Sequence, residues 1–229
     1  MRISDNISAV RDEIALTAGR AGVKAEDIIL VAASKTMPAA AVREAVLAGV
    51  DAVGENRVQE LLEKHGEGAY DGVPLHFIGH LQKNKVNKVV GTASLIQSAD
   101  SKELIELISA RAVQLGVIQE ILIEVNIAGE ASKSGFGGDE LPGVLEFCAP
   151  LSGVRVSGLM AIPPVSSKSR SNRACFGRMY KLFVDIAAKK YDNVSMDFLS
   201  MGMSGDFAEA IMEGANMVRV GSAIFGERK

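Results

Sequence analysis

Two periodicities take turns along this chain. Short apolar runs rich in β-branched residues alternate with stretches where apolar positions recur every three to four residues, the spacing of one helix face. The first helical stretch covers 4–20, with Ile7, Val10, Ile14 and either Leu16 or Thr17 on one side, and Gly22 placed to end it. Strand-like runs are predicted at 28–34, 51–56, 75–79, 94–98, 121–126, 154–160, 197–201 and 217–221. Helical patterns fill the intervals. Thr36 reads as an N-cap, with Pro38 in the first turn of a helix that reaches Leu47. Asp100-Ser-Lys-Glu103 reads as a capping box, and Ser204 as the cap of a helix that Gly214 closes.

Eight strands alternating with helices over this length is the count of an α/β fold of one kind, the (β/α)8 TIM-like barrel, here with an extra N-terminal helix. An open doubly wound sheet uses fewer strands for the same length. No repeat at fixed period and no Pro/Gly linker divides the chain, so residues 1–229 are expected to form one domain. The low-complexity stretch 163–173 reads as a surface loop, with a lid as the lesser reading.

A barrel brings its strand C-termini to one mouth, so polar residues there are site candidates. In this register the mouth receives Lys35, Asn56, His80, Ser98, Asn126, Met160, Ser200 and Gly221. Lys35 follows Ile28-Ile-Leu-Val-Ala-Ala-Ser34 directly, which puts an ammonium at the end of a buried strand, a costly place for a charge without a task. The seventh and eighth strand ends, Leu199-Ser-Met-Gly-Met-Ser204 and Arg219-Val-Gly-Ser222, offer Gly and Ser backbone where barrels often hold phosphate. Arg219 alternates with Val218 and Val220. If its face points inward, the guanidinium needs an acceptor, either a protein carboxylate or a ligand. A lysine on one wall and an anion site on the other suit a phosphorylated aldehyde held as a Schiff base, and a burial-depressed amine would be its nucleophile. A Schiff-base aldolase with a sugar phosphate meets the same description.

Composition removes several other classes. The chain of 229 residues is 48% hydrophobic and carries a net charge of −3, with no Trp and 5% aromatics. That balance gives neither a basic field nor a stacking platform for nucleic acid. No apolar run is long enough to span a membrane and no leader pattern opens the chain, so a cytoplasmic protein is expected. Cys148 and Cys175 have neither disulfide-framework nor zinc-ribbon spacing. His76 and His80 could start a metal pair but have no third ligand at a fitting spacing. Lys83, Lys85 and Lys88 form a basic cluster that reads as a solvated helix face, with partner docking as the lesser reading.

Seven segments together resemble the pyridoxal phosphate homeostasis family, also called YggS-like or proline synthase co-transcribed, which is similar to the barrel of alanine racemase. They are Ala32-Ala-Ser-Lys-Thr36, Gly54-Glu-Asn56, His76-Phe-Ile-Gly-His-Leu-Gln-Lys-Asn-Lys85, Ser132-Lys-Ser-Gly135, Gly158-Leu-Met-Ala-Ile-Pro163, Leu199-Ser-Met-Gly-Met-Ser204 and Val218-Arg-Val-Gly-Ser-Ala-Ile-Phe-Gly226. The resemblance implies a fold-type III barrel with pyridoxal 5′-phosphate (PLP) in Schiff-base linkage to Lys35. It also implies Asn56 beside the cofactor ring, Met160 lining the pocket, and Ser200, Gly221 and Ser222 on the phosphate. Met201 and Ser204 are further cofactor-binding positions, and Arg219 faces the pyridine nitrogen. Ser222 stands where many relatives carry Thr, which keeps the hydroxyl. His80 receives no role.

An arginine at the ring nitrogen leaves the ring a poor electron sink. Alanine racemase draws a second catalytic tyrosine from an added β-domain. Here the chain ends soon after the eighth strand, and Tyr70, Tyr180 and Tyr191 fall on helices or loops. The expected function is therefore a non-catalytic PLP holder in vitamin B6 homeostasis, more readily a monomer than a stable oligomer. PLP-dependent apoenzymes are its conceivable recipients. A weak amino-acid racemase is the alternative.

Overall fold

The eight apolar runs pair in chain order as parallel strands, and the first meets the last, closing a barrel. This is a computed structural model that describes residues 2–130, 134–163 and 171–226. Helix α1 (Ile3–Ala21) precedes the barrel and ends where Gly22 turns left-handed. There follow β1 (Ile29–Ala33), α2 (Ala39–Leu47), β2 (Ala52–Glu55), α3 (Val58–Gly66), β3 (Leu75–Phe77), α4 (Val86–Val89), β4 (Leu95–Ala99) and α5 (Lys102–Leu115). The second half comprises β5 (Gln119–Glu124), α6 (Leu141–Cys148), β6 (Val154–Met160), α7 (Arg173–Ala187), β7 (Val194–Ser200), α8 (Phe207–Met212), β8 (Met217–Val220) and α9 (Ser222–Phe225). The expected (β/α)8 barrel with an extra N-terminal helix is what the chain forms.

Two apolar layers hold it together, as strand alternation requires. Leu30, Ala32, Val53, Phe77, Ile96, Ile121, Ile123, Leu199, Val218 and Val220 point out toward the helices. Val31, Ala52, Leu95, Leu122, Met160 and Met217 fill the lumen. Burying both faces is the dominant favourable term of the fold, and it makes each strand read as a continuous apolar run.

Several local expectations are corrected. Thr36 does not cap α2. Pro38 is the N-cap, and Thr36 lies in the left-handed region at φ 67°, with its hydroxyl on the Lys35 carbonyl at 2.5 Å. Ser101 rather than Asp100 caps α5, accepting from the Leu104 N–H, so there is no capping box through Glu103, which pairs with Lys83 instead. Asp206 stands at the N-cap of α8, and the Ser204 hydroxyl turns elsewhere. Strand β5 starts at Gln119, earlier than predicted, because the buried Gln119 amide bonds the carbonyls of Ala93 and Ser94. The one-turn α9 was not foreseen. Asn6 on α1 reaches its Ile224 carbonyl at 2.7 Å, so the extra N-terminal helix is tied to the turn just after β8. Of the stretch 163–173, residues 164–170 lie outside the described residues, as do Ser132 and Lys133 of one quoted motif.

Candidate functional site

The C-terminal ends of β1 and β8 open onto a cavity of about 280 Å3. Lys35 and Thr36 line it from the β1 side, and Arg219, Gly221 and Ser222 from the β8 side. Ser204 and Gly205 close it from the loop after β7, and Met203 and Phe225 add apolar wall. No carboxylate is among these lining residues. Neighbouring strands force the proximity: β1 and β8 are paired with Val31 opposite Arg219. A Cβ on Gly221 would lie 3.2 Å from the Ala33 carbonyl, so a side chain there would crowd the seam. The Ser204 hydroxyl oxygen accepts from the N–H groups of Gly221 (3.1 Å) and Ala223 (3.2 Å), so two backbone donors already converge on one oxygen atom.

Arg219 is buried at 4% exposure, and its alternation with Val218 and Val220 does turn it into the lumen. The acceptors it meets are neutral: the Ser200 hydroxyl at 2.5 Å and the Ala161 carbonyl at 2.9 Å. Burial lowers its pKa to about 10, opposed by the Glu124 and Asp206 charges, so it stays a cation at neutral pH. The chain beyond it has one consistent direction. Arginine only donates, so Ser200 accepts from it and donates its own O–H to Gln97 Oε1 at 2.7 Å. Gln97 Nε2 then faces His76 Nδ1 at 3.0 Å. His76 must accept there, which requires the neutral ring with its proton on Nε2. Burial, which lowers the His76 pKa to about 4, supplies that state.

Of the residues singled out from sequence, Lys35, Ser204, Arg219, Gly221 and Ser222 come together in this cavity. The others do not. Ser200 is fully buried, with its hydroxyl bonded to Gln97 and Arg219. Met201 is one position further along, and its side chain joins the core between strands and helices. Met160 is a lumen residue at 0% exposure and is not among those lining the cavity. Asn56 borders a second cavity of about 340 Å3 with Arg57, His80, Lys85 and Lys88, so two lysines of the basic cluster edge a concave surface. The adjoining turn admits only glycine at position 79, where a Cβ would sit 2.2 Å from the Asn56 carbonyl.

His76 and His80 are engaged separately, His80 with Asp100 at 2.9 Å, and among the described residues no group of three metal-ligating side chains forms. Ser98 is displaced by its neighbour Gln97. Asn126 lies two residues past Glu124, the last residue of β5, and bonds the backbone of Glu130 in a local turn. Burial raises the Glu124 carboxyl to about 7, with Asp100 adding to the effect and Arg219 opposing it. A polar residue inside an otherwise apolar strand was the available signal for Gln97, His76 and Glu124.

The sequence profile of the family described as "Alanine racemase, N-terminal domain" matches residues 2–229. The pyridoxal phosphate homeostasis protein of Aquifex aeolicus is 41% identical over 229 residues, spanning 100% of both chains. PipY of Synechococcus elongatus, solved with PLP bound, superposes with a TM-score of 0.83 at 30% identity, over 98% of this chain and 100% of that one. An alanine racemase of Clostridium difficile shares the fold at a TM-score of 0.71 and 16% identity, over 95% of this chain and 57% of that one.

Proposed function

The chain belongs to the alanine racemase N-terminal domain family and, within it, groups with the pyridoxal phosphate homeostasis proteins, and from that premise we propose that it binds PLP covalently through Lys35 as part of intracellular vitamin B6 homeostasis. One observation carries the reading: an amine, a guanidinium and converging hydroxyl and N–H donors line one cavity that, among the described residues, no carboxylate lines. Such a donor set suits an anionic aldehyde and repels a cationic ligand. When bound, PLP would supply an electrophilic carbonyl, for which Lys35 offers the amine, and their condensation would release water. Gly221, Ser222 and Ser204 would hold the phosphate, the Ser204 hydroxyl giving up its two backbone partners or sharing them. Arg219 would meet the ring edge, and Ser200 acts from behind it rather than on the phosphate. Asn56 would border the bound cofactor from the neighbouring cavity and Met160 from the lumen.

We assign a carrier role without turnover. Among the described residues, those lining the cavity include no Tyr, His, Asp or Glu beside Lys35 to act as a second acid or base. The Tyr70 phenol is engaged with Glu55 at 3.2 Å, and burial followed by the Glu55 charge raises its pKa far above the ordinary phenol range. We further propose a cytoplasmic, monomeric single-domain protein that passes PLP to apoenzymes. No helix among the described residues is long and apolar enough to cross a membrane. Borohydride treatment of the loaded protein should fix the cofactor mass on the Lys35 peptide, and Lys35→Ala should lose both label and yellow colour. A label on another lysine would sink the site. Racemisation of alanine clearly above that by free PLP would sink the carrier reading.

A further inference from the structure

A second polar cluster lies directly behind Lys35, outside the barrel wall and beneath α3. Glu55 is fully buried and its Oε1 takes three donors: the Ser34 hydroxyl at 2.5 Å, the Lys64 ammonium at 2.7 Å and the Tyr70 phenol at 3.2 Å. Lys64, 6% exposed, also donates to the Ser34 carbonyl at 2.9 Å and lies 3.4 Å from Glu60 Oε2. That same Glu60 oxygen accepts the Thr36 N–H at 2.6 Å. Ser34 and Thr36 are the two neighbours of Lys35 in the chain, and Glu60 and Lys64 are one helical turn apart.

We propose that Lys64 and Glu60 are positioning residues that fix the backbone of Lys35 and so aim its amine across the cavity; this rests on the reading of Lys35 as the PLP-bearing residue. Each peptide group is planar. Anchoring the carbonyl of the peptide before Lys35 and the N–H of the peptide after it leaves φ and ψ of Lys35 with no freedom, and these set the Cα–Cβ direction. The left-handed Thr36 fits this account: a β-branched residue avoids φ 67° unless its surroundings impose it, and the Glu60 bond is such a restraint. Stability alone does not call for the arrangement. Buried ion pairs are often replaced by apolar residues of similar volume at no loss, whereas an apolar pair could not grip two peptide groups. Holding a reacting group in place in advance is the recognised gain of such second-layer contacts.

The test uses the full chain loaded with PLP and compares Glu60→Ala, Glu60→Gln, Lys64→Met and the double variant Glu55→Gln/Lys64→Met, which leaves no unpaired buried carboxylate. Two properties are read: the rate of PLP release into excess apo-acceptor, and the pH midpoint of the visible absorbance. Release should quicken roughly tenfold or more in Glu60→Ala and in the double variant, both while folded, and Glu60→Gln, which keeps an acceptor, should restore it. A purely electrostatic role would move Glu60→Ala and the double variant apart, because one loses a net negative charge while the other exchanges a neutral pair. Unchanged release in folded Glu60→Ala and folded double variant overturns the proposal, as does a shift of midpoint without faster release. Failure of the reading beneath it looks different, since the wild-type chain itself would then carry no label at Lys35.

Discussion

Two buried polar clusters flank the Lys35 cavity, and they are built on opposite electrical principles. The outer one, Ser34, Glu55, Glu60, Lys64 and Tyr70, holds full charges and uses them on the backbone of β1. The inner one, Arg219, Ser200, Gln97 and His76, contains one permanent charge and orients it with a relay of neutral groups. Removing a member therefore has different consequences. Loss of an ion in the outer cluster strands an uncompensated buried charge, while loss of a neutral group in the inner one forfeits a hydrogen bond. The outer cluster would fix where the lysine points. The inner one fixes a cation at the lumen end without surrendering it to a carboxylate, and leaves it donors to offer at the mouth.

The comparison breaks most visibly at Lys64. Lys64→Met should destabilise the fold by ~3–5 kcal/mol in urea titration, since Glu55 is then buried without a cation, and Glu55→Gln in the same chain should recover much of that. If Lys64→Met costs no more than a surface substitution, the cluster is not ionic in effect.

The inner cluster should announce itself through pH. The folded pKa of His76 is depressed to about 4 from 6.5, so the buried neutral ring contributes its full stability above about 6.5. That contribution falls away as pH drops toward 4, by on the order of 3 kcal/mol in all. Wild type should thus lose stability relative to His76→Gln across this window, and parallel curves would rule out the buried neutral ring. Glu124 runs the other way. Its folded pKa is raised to about 7 from 4.5, so ionisation opposes folding, and stability declines as pH rises from about 4.5 through 7. Glu124→Gln should remove that decline.

The smallest effect is expected at Ser200→Ala, about 1–3 kcal/mol from one unsatisfied guanidinium N–H and one Gln97 oxygen without its donor. The same variant sharpens the assignment of roles. If Ser200 supports Arg219 rather than contacting phosphate, free inorganic phosphate should compete with PLP equally well in wild type and variant.

Much of this molecule could be read before it was seen folded. The switch between periods of two and of 3.6 located the strands and flanking helices, because those periods follow from backbone geometry alone. Lys35, Arg219 and the Gly/Ser elements after β7 and β8 stood out for the same reason: charge or flexibility at the end of an apolar run is a local signal. The phase of each strand was not local. A barrel strand is buried on both faces, so shifting the inward set by one residue leaves the hydrophobic pattern unchanged. Hence Gln97 rather than Ser98, and an outward Met201 beside an inward Ser200, were decided only by closure of the barrel. Closure also took Ser204 and Thr36 out of their capping roles, because backbone donors and a carboxylate from distant segments outbid the nearest helix. Lys64 is the clearest case. In sequence it is one charge on an amphipathic helix, and only the packing of α3 over the end of β1 turns it inward onto Glu55 and the peptide before Lys35.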